Sequence, residues 1–223
     1  MLRTFYCNPF RECTYLLSDS DGRTLVVDCG AYDEAEWLRQ ENYIKEQRLT
    51  VCAHLLTHAH LDHIFGVRRV YESYGVRPYL HPADAFLYRR LAAQAAAFGL
   101  PWDDDTPLPD FLPLPDAPFS IASFRISPIH TPGHTPGGVC YRIDSTDAET
   151  AGTPETSDIA SPAFPLLFTG DTLFQGGYGR TDLPGGNYPA LMQSLRTLAA
   201  LPDMPVLPGH GYPTRIAMEG DCF

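Results

Sequence analysis

The stretch Thr57-His58-Ala59-His60-Leu61-Asp62-His63 places three histidines and an aspartate in seven residues, directly after an apolar run at 49–56. The run reads as a buried strand, and 62–74 reads as a helix with Ile64, Val67, Val70 and Tyr71 on one face. In extended chain His58 and His60 are two apart, so both rings project to one side. Asp62 and His63 fall in the first residues of the helix, displaced from that pair. One short segment therefore presents four side chains of the kinds that bind zinc or iron. Gathering three imidazoles and a carboxylate without an ion would strand buried polar groups, so the segment reads as a metal site.

Further along the chain, three turns offer matching donors. Pro132-Gly133-His134-Thr135-Pro136-Gly137 holds a histidine in a rigid turn, Thr169-Gly170-Asp171-Thr172 ends an apolar strand on a carboxylate, and Pro208-Gly209-His210-Gly211 ends another on a histidine. Glycine beside each donor lets backbone approach closely. The other three of the eight histidines, His54, His81 and His130, read as ordinary core or surface residues.

Around these turns the chain alternates strand and helix signals. Strands are expected at 14–17 and 24–27, joined by a hairpin turn, and at 78–81, 124–129, 138–143, 165–169 and 204–207. Helices are expected at 34–47, 82–97 and 188–201. Two strand-rich stretches, each followed by helices, point to a sheet-on-sheet core with helices outside.

A chain of 223 residues fits a single domain, 1–223. Its charge is −11, yet ten of those negative charges lie in two base-free segments, 101–118 and 144–163. Both read as acidic surface loops. Such a balance argues against nucleic acid or an anionic membrane as partner. No run of apolar residues is long enough for a membrane span, and no signal peptide is visible at Met1. The six cysteines are irregularly spaced, without a CxxC pair, so free thiols and a cytoplasmic location are expected.

Taken in order, the THAHLDH, PGHTPGG, FTGDTLF and PGHG segments are similar to the metallo-β-lactamase-fold hydrolases. The run Gly170-Asp171-Thr172-Leu173-Phe174, continued by Gly179-Arg180-Thr181-Asp182-Leu183-Pro184-Gly185-Gly186, most resembles the glyoxalase II-like (hydroxyacylglutathione hydrolase-like) branch. The resemblance implies an α/β (α+β) fold, an αββα four-layer sandwich of two mixed sheets flanked by helices. It also implies two divalent metal ions, zinc first, with iron or manganese as the other candidates. His58, His60 and His134 would hold one ion, Asp62, His63 and His210 the other, and Asp171 would bridge them. Asp28 matches a carboxylate that orients a ligating histidine; the competing reading is an aspartate that only caps its own turn. Two departures stand out: Cys13, where relatives often carry asparagine, and Cys29, where they often carry proline. The latter is expected only to change a turn. Thirteen residues follow His210, so the resemblance is to a short form lacking the C-terminal helical domain.

The chemistry implied is hydrolysis of a small-molecule thioester, S-2-hydroxyacylglutathione or a related compound. Two divalent ions lower the pKa of a shared water from about 15.7 to about 7. Asp62 takes part in proton handling, beside His58, His60 and Asp171. A thiolate leaving group, with a pKa of about 8.5, needs no dedicated acid. Tyr178 and Arg180, in the Gly-rich loop at 175–180, are candidate substrate contacts; the competing reading pairs Arg180 with Asp182 to hold that loop. Two alternatives stand beside this function. One is a mononuclear iron persulfide dioxygenase, which would use only His58, His134 and Asp171. The other is a non-catalytic metal-binding protein. The sequence leaves the oligomeric state open.

Overall fold

Alternation along the central strands decides which layer each side chain enters. In β2 (Glu12–Ser18), Tyr15 and Leu17 join the apolar layer between the sheets, while Leu16 faces a second layer on the outside. The computed structural model describes residues 1–102, 107–146, 158–159 and 162–220.

One sheet contains β1 (Leu2–Cys7), β2, β3 (Arg23–Val27), β4 (Thr50–Leu55), β5 (Pro78–Leu80) and β6 (Leu112–Pro113) in that order, with β10 (Asp158–Ile159) beside β1. Strands β3 to β6 run parallel, and the β1 side is antiparallel. The other sheet contains β7 (Phe119–Ile121), β8 (Phe124–His130), β9 (Val139–Ser145), β11 (Leu166–Gly170), β12 (Pro205–Pro208) and β13 (Thr214–Arg215). Only β11 and β12 are parallel there. Leu17, Leu25, Val27 and Leu55 of the first sheet pack against Phe124, Ile126, Tyr141 and Phe168 of the second.

Helices cover both outer faces. α1 (Glu34–Glu46) starts at Asp33, whose side chain accepts the Glu36 amide, and it buries Trp37, Gln40 and Ile44 at helical spacing. Trp37 and Ile44 pack on Leu16 and Val26, together with Val70 of α3 (Val67–Tyr74). α6 (Tyr188–Ala199) starts at Asn187, which caps the Ala190 amide, and it lays Leu191, Leu195 and Leu198 on Leu167 and Val206. The expected αββα sandwich of two mixed sheets is the fold observed. α7 (Ile216–Glu219) is the last helix among the described residues. No helix among the described residues is long and apolar enough to cross a membrane.

Several local expectations need correction. The helix expected at 62–74 is two pieces, α2 (Leu61–Ile64) and α3, parted at Gly66. The Gly66 amide bonds the Cys29 carbonyl at 2.8 Å, and a Cβ on Gly66 would strike the Cys29 sulfur. The helix expected at 82–97 is a 3-10 turn at Pro82–Asp84 followed by α4 (Ala85–Tyr88) and α5 (Leu91–Ala97). Strands β1 and β7 went unread in the sequence. The acidic segments are not wholly loop: β6 lies in the first, and the end of β9 and β10 lie in the second. Residues 103–106, 147–157 and 160–161 of those segments lie outside the described residues, as does Cys222.

The two sheets are stitched together where the histidine segments emerge. Tyr15 of the first sheet donates its hydroxyl to the Pro208 carbonyl of the second at 2.7 Å. Tyr141 of the second donates to the Leu56 carbonyl of the first at 2.8 Å. Backbone bonds from Val139 to the Thr57 carbonyl (2.9 Å) and from Cys13 to the Gly209 carbonyl (2.8 Å) cross between the sheets as well.

Candidate metal centre

Each histidine segment leaves the end of a strand and turns over the same edge of the sandwich. β4 leads to His58 and His60, β11 to Asp171 and β12 to His210. His134 sits in the turn between β8 and β9. His58, His60 and His134 form one group whose ligand atoms lie within 4.8 Å of one another; Asp62, His63 and His210 form a second. Each group draws two residues from the first sheet's side and one from the second's. His58, His63 and Asp171 form a further group of the same compactness.

Asp171 stands between the two sets. Its Oδ1 is 3.3 Å from His63 Nε2, and its Oδ2 is 3.4 Å from His134 Nε2 and 3.6 Å from His210 Nε2. Asp62 Oδ2 lies 3.1 Å from His210 Nε2. His60 Nδ1 lies 2.8 Å from His134 Nε2.

The outer ring nitrogens are tied down. His63 Nδ1 meets Asp28 Oδ2 at 2.9 Å, and His58 Nδ1 meets the Thr57 hydroxyl at 3.0 Å. His134 Nδ1 meets the Arg180 carbonyl at 2.7 Å, and His210 Nδ1 meets the Phe10 carbonyl at 3.0 Å. Such partners fix ring orientation and leave the other nitrogen to face inward. The Nε2 atoms of His58, His60 and His63 and Oδ1 of Asp171 are buried with no hydrogen-bond partner. Each such atom costs about 1–3 kcal/mol when left unsatisfied. Imidazole and carboxylate donors converging in this way fit one or more divalent ions.

Charge is polarised across the site. Burial and the neighbouring imidazoles hold His58 far below the usual histidine range, and burial with His134 brings His60 to about 3. Burial alone would also lower His63, but Asp62, Asp28 and Asp171 outweigh it and raise it. Burial would raise Asp171, but His210, His63 and His134 prevail and hold it well below the carboxylate range. His58 and His60 are thus held neutral, and Asp171 beside them is held ionised.

A cavity of about 290 Å³ opens over the centre. His60, Asp62, His134, Asp171 and His210 line it, with Phe10, Leu61, Phe98, Phe174 and Leu183 as an apolar wall. Arg180 also lines it, but Asp182 grips its guanidinium by two bonds of 2.6 Å. Tyr178 is exposed beside Tyr188 and is not part of the cavity lining.

The three remaining histidines lie outside these donor groups. His54 is buried inside β4. His81 and His130 stack face to face, 4.2 Å apart. Cys13 is buried, and its sulfur lies 3.8 Å from the Gly211 carbonyl. Cys29 does more than alter a turn. Its amide donates to the His63 carbonyl at 3.0 Å, a bond that proline at this position could not make.

Sequence reasoning missed several supporting residues. The Asn8 amide bonds the Gly30 and Asp62 carbonyls at 3.0 and 2.9 Å. Thr57 gives both its amide and its hydroxyl to Asp28, each at 2.7 Å. Asp84 gathers three donors of its own. Its one sequence signal is its place, four residues beyond β5.

Comparison with known proteins agrees with this geometry. The family model described as "Metallo-beta-lactamase superfamily" matches residues 9–148 and 160–210. The chain is 36% identical over 219 residues to the probable metallo-hydrolase YqgX of Bacillus subtilis, covering 96% of this chain and 91% of that one. It is 35% identical over 214 residues to the hydroxyacylglutathione hydrolase GloC of Haemophilus influenzae, covering 94% and 90%. Among solved structures, the BLEG-1 B3 metallo-beta-lactamase superposes with a TM-score of 0.80 at 32% identity, over 99% of this chain and 97% of that one. With its αββα fold and converging histidines and aspartates, the chain belongs to the metallo-beta-lactamase superfamily.

Proposed function

We propose that the protein is a cytoplasmic hydrolase of small-molecule thioesters, glyoxalase II-like, working with two divalent ions of which zinc is the first candidate. The observation that carries this reading is Asp171, which stands between the two donor sets: its Oδ1 faces His63 of one, and its Oδ2 faces both His134 of the other and His210. His58, His60 and His134 would hold one ion, Asp62, His63 and His210 the other, and Asp171 both. Bound there, two such ions supply Lewis acidity and a water whose pKa falls to about 7.

The chain's own residues do the rest. Asp28, Thr57 and the carbonyls of Phe10 and Arg180 hold four rings in a fixed orientation. Asp62, the cavity-lining carboxylate nearest His210, is placed to take and return a proton at Oδ2. The apolar wall of Phe10, Phe98 and Phe174 keeps bulk water from one side of the reacting carbonyl. A thiolate can leave without an acid, and no serine nucleophile is called for. The cysteines described in the structure are free, which suits a reducing compartment. The relative named as a hydroxyacylglutathione hydrolase supports the choice of thioesters.

Metal analysis of the purified protein, joined to a panel of hydroxyacyl thioesters, tests this. About two zinc ions per chain, with hydrolysis lost on chelation, is the expected result. Iron bound at one site, with oxygen uptake on glutathione persulfide, would replace this reading with the dioxygenase. Tight metal with no turnover on any substrate would favour the non-catalytic alternative.

A further inference from the structure

Asp84 closes the 3-10 turn after β5 and is fully buried. It belongs to neither donor set, yet its carboxylate joins two segments that do. Oδ2 accepts the Ala59 amide at 3.0 Å and the Thr135 hydroxyl at 2.9 Å, and Oδ1 accepts the Gly137 amide at 2.6 Å. Ala59 lies between His58 and His60, and Thr135 directly follows His134. The fit is close: a Cβ on Gly137 would lie 2.7 Å from the Asp84 carboxyl carbon. Gln94 of α5 steadies the far side of the first segment, donating to the Ala59 carbonyl at 3.0 Å.

The two joined segments leave different sheets, and nothing in either one alone fixes the gap between His60 and His134. Three rings must nevertheless converge on one point. The second set is held by other groups, Asp28 for His63 and the Phe10 carbonyl for His210.

We propose that Asp84 is a positioning residue whose carboxylate locks the His58–His60 segment to the His134 turn and so sets the spacing of the three-histidine metal site. The inference rests on the assignment of those histidines as ligands and not on the identity of the substrate.

The test compares zinc affinities, read by competition with a chromophoric chelator, in two backgrounds. His210→Ala leaves the three-histidine set, and His134→Ala leaves the other. Asp84→Ala is expected to weaken zinc by about 10–100-fold in the first background, the range found for outer partners of ligands, and to leave the second unchanged. A residue that served only general stability would lower the unfolding midpoint and shift both sets alike. Should Asp84→Ala fail to fold, Asp84→Asn and Thr135→Val carry the same comparison. Asparagine keeps one acceptor oxygen but turns an NH2 toward the Gly137 amide, and valine removes one bond of three. Equal weakening in both backgrounds, or unchanged zinc affinity in the first, would overturn the proposal. The readout needs no turnover, so it stands apart from any failure of the thioester assay.

Discussion

Asp28 Oδ2 lies 2.9 Å from His63 Nδ1 and also accepts the Thr57 hydroxyl at 2.7 Å, so one oxygen holds both ends of the histidine segment. Its partner Oδ1 takes the Thr57 amide. Asp28 itself has a positive φ of 56°, which asparagine tolerates as well as aspartate does. Asp28→Asn should therefore keep the backbone and disturb the bonds. An amide in place of Oδ2 would face the His63 ring with a donor. We expect metal affinity to fall about 10–100-fold, measured by chelator competition. Unchanged affinity would mean that Asp28 only caps its turn.

The Gly-rich loop offers a contrast within three residues. A Cβ on Gly177 would meet nothing within 4 Å, whereas one on Gly179 would strike the Asp171 carbonyl and lie 2.8 Å from His134 Nδ1. Gly177→Ala should leave stability within about 0.5 kcal/mol and activity intact. Gly179→Ala should displace Asp171 and His134 together and abolish hydrolysis. Equal effects of the two changes would refute this account of the loop.

Burial holds His54 at about 3, against 6.5 for a free side chain. Between those values the unfolded chain binds a proton that the native state refuses. Stability should thus fall as pH drops from about 6.5 toward 3, by about 1.4 kcal/mol per pH unit from this one group, with no contribution above that window. Urea unfolding of wild type and His54→Leu, each at pH 5 and pH 7, measures it. The variant should lose less stability between the two pH values; equal losses would contradict the assignment.

Phe98 is 41% exposed at the mouth of the cavity, its ring edge-on to Phe10 at 5.4 Å. Phe98→Ala should raise KM for thioesters with an apolar arm by about 10-fold, the loss of about 1–3 kcal/mol of contact, with kcat little changed. A fall in kcat alone would place Phe98 in the chemical step instead.

Chelation should lower the unfolding midpoint as well as remove activity. Ions that bind only the native state add about 2.7 kcal/mol at a hundred times their dissociation constant. Calorimetry before and after chelator, with zinc added back, reads this directly. A midpoint unmoved by chelator would show that the donor sets are not loaded in the native protein.

The donor residues were legible because they are chemically distinctive and closely spaced: HxHxDH cannot easily be read as anything else. The sandwich was legible through strand and helix periodicity. What escaped shares one cause, dependence on partners far away in the chain. Asp84 looks like any turn aspartate until Ala59, Thr135 and Gly137 close on it. Gly66 parts two helices where its amide turns to the Cys29 carbonyl and the Cys29 sulfur leaves no room for a side chain. β1 carries a mixed pattern, LRTFYC, that only pairing with β2 turns into a strand. Arg180 draws notice for its charge, but it is the backbone carbonyl that touches His134.

Each donor set takes two residues from before β5 and one from after β8. Neither half of the chain can assemble a complete set alone. With those residues as ligands, an ion acts as a rivet through the open edge of the sandwich. Metal loading then reports on whether the two halves have docked, and the halves prepared as separate polypeptides should re-associate more tightly when zinc is present than when it is withheld.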